Sequence, residues 1–380
     1  MAVTDDELIA AVREHGSNAK AAAALGIDRR GVDRRISSMA RKGYSPDHGL
    51  RVPYPDGYFM GKVTIQRGKH GEIKNTWERM CADNERLAQI MREVVSAMKE
   101  EIPRAKPSKA PKQAPNDLLN LYLVTDYHLG MLAWGEETGA DWDTQIAEDM
   151  LVAWFAQAMA EAPDAEVGVF GQLGDFLHWD GWDAVTPASK HLLDADTRFP
   201  KLARVAIRAV RRIIDMMLAK HQRVHVIMAE GNHDPTSSVW LRELCAAMYE
   251  NEPRITVDTR PDPYYGYEWG KTLLLFHHGH KRKPENIDTV FVAKFREEFG
   301  RAQYVYAHMG HLHHLYAKET NLMTVEQHRT LASPDAYASR NGYMSGRDAQ
   351  VITYDKTYGE RARRKIPAQL IADLLARAAA

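Results

Sequence analysis

Leu119-Asn-Leu-Tyr-Leu-Val-Thr125 is a strand-like run that stops at Asp126-Tyr-His128. Four more such runs, Glu166–Leu173, Val224–Ala229, Thr272–Phe276 and Ala302–Ala307, lead to Gly174-Asp175, Gly231-Asn-His-Asp234, His277-His-Gly279 and Gly310-His-Leu-His313. Helical stretches such as Asp149–Ala160 and Leu202–Lys220 alternate with them. That alternation predicts an α/β architecture with central sheets covered by helices, in which functional groups gather beyond the carboxyl ends of the strands. Carboxylate, amide and imidazole groups arrive at those ends in order.

The residue types specify a chemistry. Two divalent ions about 3.5–4 Å apart need a shared carboxylate, with imidazoles and oxygen donors filling each shell and room left for water and substrate. A shared hydroxide is then the nucleophile, and charge building on a phosphoryl group is neutralised. A single histidine at a strand tip is usually a packing or surface residue, so the ordered combination carries the argument.

The pattern Asp-x-His, Gly-Asp, Gly-Asn-His-Asp, His and Gly-His-x-His resembles the calcineurin-like metallophosphoesterase superfamily over approximately Leu119 to Tyr354. The resemblance implies a two-sheet sandwich flanked by helices. It also implies that Asp126, His128 and His313 hold one ion, that Asn232, His278 and His311 hold the other, and that Asp175 bridges them. His233 resembles the histidine that donates a proton to the leaving oxygen, with Asp234 orienting its ring. His277, His278 and His280 compete for one ligand role, and His278 is favoured because the family histidine commonly precedes a glycine. His308 and His314 flank the last motif without matching it and read as supporting or surface groups, and Asp180 and Asp183 read as solvated loop residues. Manganese is the leading metal, and His, Asp and Asn donors suit iron, zinc and nickel as well.

The chain of 380 residues carries a formal net charge of −1 and two cysteines, Cys81 and Cys245. This excludes a wholesale polycation and a disulfide framework. No signal peptide or membrane-length apolar run is present, so the expectation is a cytoplasmic protein without a membrane partner.

Four segments are predicted. Residues 1–45 read as three short helices. Ser17 or Asn18 caps the second, Gly26 makes the turn, and Asp28 caps a third helix in which Val32, Ile36 and Met39 share a face. This looks like a helix-turn-helix of DNA-binding regulators, with Arg29, Arg30, Arg34 and Arg35 as DNA contacts; a solvated basic face on a packing module is the alternative. Residues 46–102 predict a β-hairpin over Tyr58–Thr76. An amphipathic helix follows whose Trp77, Met80, Asn84, Leu87, Met91, Val94 and Met98 form either a coiled-coil seam, hence a homo-oligomer through residues 77–98, or a face lying on the catalytic domain. Residues 103–117, with a proline every four residues and several lysines, predict an extended tether. Residues 118–380 form the phosphoesterase domain, ending in a C-terminal helix.

The substrate class is read from fewer residues. Gly174-Asp-Phe-Leu-His178 is similar to the Gly-Asp-Leu-Phe-His stretch of SbcD-type DNA-repair nucleases and lacks the Asp-Arg-Gly of protein phosphatases. His178 is thereby a candidate catalytic group. Lys281, Arg282 and Lys283, together with Arg340 and Arg347 in an aromatic-rich stretch, are candidate DNA contacts. The domain combination also resembles phage-encoded metallophosphoesterases. These signals favour a DNA nuclease recruited by its helix-turn-helix. A phosphomonoesterase, a cyclic-nucleotide phosphodiesterase and a DNA-binding regulator with a vestigial catalytic domain are the alternatives.

Overall fold

The strand β3 (Leu118–Val124) shows how the sequence builds the layers. Leu119, Leu121 and Leu123 point to one face and Tyr122 and Val124 to the other, and both faces are buried. A strand apolar on both faces belongs in the middle of a covered sheet. The computed structural model describes residues 3–41, 58–67, 73–82, 104–111 and 115–379. The chain divides into two compact units, Met1–Glu93 and Val94–Ala380.

In the second unit a six-stranded sheet has the order β13-β12-β3-β4-β5-β6. It uses β4 (Val167–Gln172), β5 (Arg223–Met228), β6 (Ile255–Val257), β12 (Asp348–Asp355) and β13 (Gly359–Pro367), with β3 to β6 parallel. A five-stranded sheet has the order β10-β11-β9-β8-β7, from β7 (Tyr265–Trp269), β8 (Thr272–His277), β9 (Tyr304–Met309), β10 (Tyr316–Glu319) and β11 (Thr324–Gln327). Leu121, Val169, Ile227, Leu274, Phe276 and Ile352 form the core between the two sheets. Four further helices frame the site, α4 (Gly135–Thr138), α5 (Thr144–Glu161), α6 (Phe199–Lys220) and α7 (Pro235–Met248). The long α5 and α6 bury Trp154, Phe155, Val210 and Ile213 against Tyr122 and Phe170 on the outer face of the six-stranded sheet. On the outer face of the five-stranded sheet, Leu273, Leu275 and Val305 pack against Phe291 and Phe295. The expected two-sheet α/β sandwich flanked by helices is present, and the chain ends in a helix, Ala368–Ala379. Among the described residues no helix is long and apolar enough to cross a membrane.

The first unit contains α1 (Asp5–His15), α2 (Asn18–Leu25) and α3 (Arg29–Arg41). Thr4 and Glu7 form a capping box on α1, Ser17 caps α2 by accepting from the Lys20 N–H, and Asp28 accepts from the Gly31 N–H at the start of α3. Leu8, Val12, Ala21, Ala22, Val32 and Met39 close a small core. Strands β1 (Tyr58–Arg67) and β2 (Ile73–Ala82) pair antiparallel, with Thr64 opposite Trp77 and Met60 opposite Met80. Trp77 and Met80 are therefore strand residues and do not open a helical seam. A three- and four-residue spacing that includes few positions also fits a strand with a register shift, and the ladder hydrogen bonds decide. The rest of that seam, from Asn84 to Met98, lies outside the described residues, as does the hairpin turn at residues 68–72.

The described part of the Pro/Lys-rich segment, 104–111, has no regular secondary structure. It is nevertheless held on the second unit. Arg104 pairs with Glu250, the Ala105 N–H donates to the Met248 carbonyl (3.0 Å), and the Ser108 N–H and hydroxyl donate to Glu252 (2.7 and 3.0 Å).

Candidate metal centre

Because β3, β4 and β5 run parallel, as do β8 and β9, their carboxyl ends lie along one edge, and the backbone ladder continues past them. The Asp126 and His128 N–H groups donate to the Gly174 and Asp175 carbonyls (both 3.0 Å), and the Gly310 N–H donates to the His278 carbonyl (2.8 Å). With the His233 N–H donating to Asp175 Oδ1 (2.8 Å) and the His311 N–H to the Asp126 carboxylate (3.1 and 2.8 Å), these bonds place the five motifs beside one another.

The backbone bends sharply there. Asp126, His128, Asp175, His311 and His313 all have positive φ, at 49°, 47°, 50°, 80° and 56°. Non-glycine residues in this region cost about 1–3 kcal/mol each and persist where the surroundings enforce them, which is typical of functional sites. The motif glycines are explained by close approach. A Cβ on Gly310 would overlap the Thr125 hydroxyl and lie 2.5 Å from Asp126 Oδ2, and one on Gly231 would overlap the Asp175 carboxylate.

Two donor triads result. Asp126, His128 and His313 have ligand atoms within 4.8 Å of one another, as do Asp175, His278 and His311. Asp126 Oδ1 is 3.2 Å from His313 Nε2, and His128 Nε2 is 3.3 Å from His313 Nε2. His278 Nε2 lies 3.1 Å from both Asp175 Oδ2 and Asn232 Oδ1, and 3.9 Å from Asp126 Oδ1. Donors bound to one ion at about 2.0–2.2 Å are separated by roughly 3.0–3.4 Å along the polyhedron edge, so these spacings fit two adjacent ions. The structure brings together all seven residues expected as ligands.

The strand register separates the competing histidines. Leu274 and Phe276 face the space between the sheets, so His278 continues that face to the centre. His277 faces the other way, stacks on Tyr264 (4.5 Å between centroids) and accepts from the Gly279 N–H. His280 stacks on His277.

Outside the triads, hydrogen bonds fix ring orientation, which tunes a metal site as strongly as many ligands do. His278 Nδ1–H donates to the Leu173 carbonyl (2.9 Å), leaving Nε2 toward the centre. His178 Nδ1 is 3.2 Å from His128 Nδ1, and it accepts there if His128 presents Nε2 as a lone pair to an ion. The Thr330 hydroxyl donates to the Asp126 carbonyl (2.6 Å) and the Thr125 hydroxyl to its carboxylate. Neither threonine carries a sequence signal, because each is defined only by the distant residue it meets.

Two expectations about catalytic groups are corrected. Asp234 does not orient His233. Its carboxylate is buried and accepts the N–H groups of Asp175, Leu177 and Gly231 (3.2, 2.9 and 3.2 Å), bracing the loop backbone. The His233 ring is held by its Nδ1–H on the His178 carbonyl (2.8 Å), and its own N–H donates to Asp175 Oδ1 (2.8 Å). His178 itself is fully buried, so it positions neighbours rather than touching substrate. Asp180 is not solvated either; it caps α7 by accepting from the Thr236 and Ser237 N–H groups.

Electrostatics follow from crowding buried charges. Burial opposes ionisation of Asp126 and Asp175, yet His313 and His278 beside Asp126, and His278 beside Asp175, hold both carboxyls below their usual range. Burial also opposes protonation of His278, but Asp175 and Asp126 outweigh it and push the group up to about 9. Burial and neighbouring histidines depress His128, His311 and His178, the last to about 3.

The expected DNA contacts are dispersed. Arg30 and Arg34 are exposed on α3, whereas Arg29 lies 3.7 Å from Asp33 and Arg35 pairs with Asp5. Lys281 is 3.4 Å from Glu230, and Arg282 and Lys283 are exposed. Arg340 is bound to Glu137 (2.9 Å). Arg347 donates to the Leu331 carbonyl (3.0 and 2.8 Å) and lies over Trp142, so its role is to tie down a loop. His314 is exposed, its Nδ1 2.9 Å from the Leu312 carbonyl. His308 is buried between the sheets with His328 and Tyr354. Glu326 beside it is already neutralised by both arms of Arg363 (2.8 Å each), which makes that cluster a brace between sheets.

No family model and no curated protein matches this chain. Several solved structures are similar to it. A conserved uncharacterized protein (predicted phosphoesterase) from Streptococcus pneumoniae TIGR4 is 11% identical, covering 66% of this chain and 98% of its own, with a TM-score of 0.28. Vps29 complexed with Zn²⁺ from Entamoeba histolytica is 11% identical over 66% and 99%, with a TM-score of 0.27. A 5'-nucleotidase from Candida albicans SC5314 is 10% identical over 73% and 58%, with a TM-score of 0.30. At these values the likeness carries no functional assignment, and the side-chain geometry has to.

Proposed function

We propose that the chain is a two-metal phosphodiesterase that hydrolyses DNA, with manganese as the working metal. The observation that supports the hydrolase reading is the pair of neighbouring donor triads at the edge of an open cavity of about 670 Å³. That cavity is lined by His128, Asp175, Asn232, His233, His311 and His313, so donors and the candidate acid face the same space.

Asp126, His128 and His313 would hold one ion, and Asn232, His278 and His311 the other, with Asp175 between them. Bound there, two divalent ions supply a nucleophile at neutral pH and neutralise charge developing on a phosphoryl group. The chain's own groups do the rest. His178 and Leu173 fix the rings of His128 and His278. His233, anchored through Nδ1, directs Nε2 at the cavity, where it can deliver a proton to the departing oxygen. The DNA reading is supported by the His178-containing motif, by the exposed Arg282 and Lys283 on the chain just after His278, and by the basic α3 of a three-helix unit. Such a unit would raise the local concentration of DNA at the centre without changing it.

Incubation of purified protein with Mn²⁺ and labelled single- and double-stranded DNA tests the proposal. Metal-dependent cleavage is expected. Turnover of a small phosphomonoester with no DNA cleavage under any metal rejects the nuclease and leaves the phosphatase alternative.

A further inference from the structure

The cavity over the donors has a second wall that the metal chemistry does not use. The helix α8 (Ala336–Arg340) and the residues after it, up to Gly346, line the same cavity as the histidines and present Tyr337, Tyr343 and Met344. These side chains are 67%, 62% and 93% exposed. Their exposure is unusual for large apolar groups beside a polar centre, and Leu312, 49% exposed on the donor side, extends the same surface. The two tyrosine rings lie 6.2 Å apart at 52° to each other.

The wall is rigid. Asp335 caps α8 by accepting from the Ala338 N–H (2.7 Å), the Ser339 hydroxyl donates to the Glu137 carbonyl (2.7 Å), and the Tyr343 N–H donates to the Ala338 carbonyl (2.9 Å). Its cations are spent on this scaffold, Arg340 on Glu137 and Arg347 on Leu331 and Trp142. A surface of exposed aromatic faces whose guanidinium groups are already engaged by Glu137, Leu331 and Trp142 favours a planar, uncharged group over a phosphate.

We propose that this wall is a ledge on which one unpaired nucleobase stacks, next to the phosphodiester that lies over the donors. The ledge rests on the phosphodiesterase reading above and names its substrate class, a single strand or an unpaired end. The volume agrees: about 670 Å³ falls within the roughly 300–1,000 Å³ of sites that enclose one small molecule, which suits one nucleotide and not a duplex.

Equilibrium binding of a fluorescent tetrathymidylate and of an abasic tetranucleotide, measured on the full chain in chelator, reads the ledge without catalysis. Wild-type protein should bind the base-bearing strand about tenfold tighter or more, as expected for a stacked base. Tyr343→Ala should erase that preference and Tyr343→Phe should keep it; the residue is exposed, so neither change threatens the fold. Equal affinity for the two strands, no binding of either, an unchanged preference in Tyr343→Ala, or equally strong competition by a blunt duplex each overturns the ledge. A base preference without hydrolysis of any diester in Mn²⁺ would instead overturn the phosphodiesterase reading and leave the ledge standing.

Discussion

The donors and the cations of this molecule are opposite cases. The seven candidate donor residues are scattered from Asp126 to His313 and converge within a few ångströms. The basic residues are adjacent in sequence, and several are neutralised by acids or turned into scaffolding. A donor at a strand tip is positioned by a ladder of backbone hydrogen bonds, so its place follows from the strand pairing and the close-fitting glycines beside it. A long cationic side chain goes wherever a carboxylate or carbonyl is within reach.

The largest expected effect breaks the donor side through its backbone. Gly310→Ala places a methyl group against Thr125 and Asp126. Among core changes this belongs to the strained class costing more than about 4 kcal/mol. Metal analysis should return a depleted site and thermal unfolding a large loss of stability, whereas near-normal metal content would show that the close approach is dispensable. Next, His233→Ala removes only the ring that faces the cavity. Turnover should fall about 10²–10⁴-fold with metal content retained, and loss of metal as well would reassign His233 to the donors.

His178→Ala separates two functions carried by one residue. The substitution deletes the ring that meets His128 and lies stacked on His233, and keeps the carbonyl that anchors His233 Nδ1. Metal affinity should drop by about 10–100-fold, the usual cost of losing an outer partner, while turnover at saturating metal stays close to wild type. A fall in turnover at saturating metal would mean that the His178 ring acts beyond His128.

The donor side also predicts a pH dependence. In metal-free protein His278 sits at about 9 against an ordinary value of 6.5, so its charged form contributes stability that is fully present below 6.5 and lost as pH rises through 9. His313 is also raised and acts in the same direction, while His128, His178 and His311, all depressed, change stability only on the acid side of 6.5. The Tm in chelator should therefore fall between pH 6.5 and 9. If His278 is a ligand, a bound ion competes with its proton, and added Mn²⁺ should stabilise increasingly over the same range. A flat metal-free Tm would remove the electrostatic account.

What was legible in the sequence follows the same division. Asp126, Asp175, Asn232 and His311 were readable because a strand-like run ends just before each, and the two-sheet fold followed from the same runs. His278 could be preferred over His277 only by resemblance; the period-two alternation of Leu274 and Phe276 contains the answer once the inner face of β8 is known. The support of His233 is not legible in the sequence. Asp234 is adjacent in sequence, whereas the carbonyl of His178 is distant and has no side-chain signature. Trp77 and Met80 carry a helical spacing over few residues, yet strand pairing that the sequence does not display places them in β2. The fates of Arg340 and Arg347 depended on Glu137 and Leu331, far away in the chain.

The smallest effects sharpen the comparison on the cation side. Arg340 is 77% exposed and paired with a 31% exposed Glu137, so Arg340→Ala should change stability by less than about 1 kcal/mol. If its charge is committed to Glu137, the substitution should also leave the salt dependence of DNA binding unchanged. Arg282 and Lys283, exposed just beyond His278, behave differently if they meet phosphates. Each replacement by alanine should weaken binding uniformly across sequences and lower the slope of log affinity against log salt by roughly 0.7–0.9 per contact. Affinity titrations between low and moderate salt would separate the two sets. Equal slopes for the Arg340 and Arg282 variants would mean that the ion pair with Glu137 opens when DNA arrives, and that the cations, like the donors, converge on the substrate.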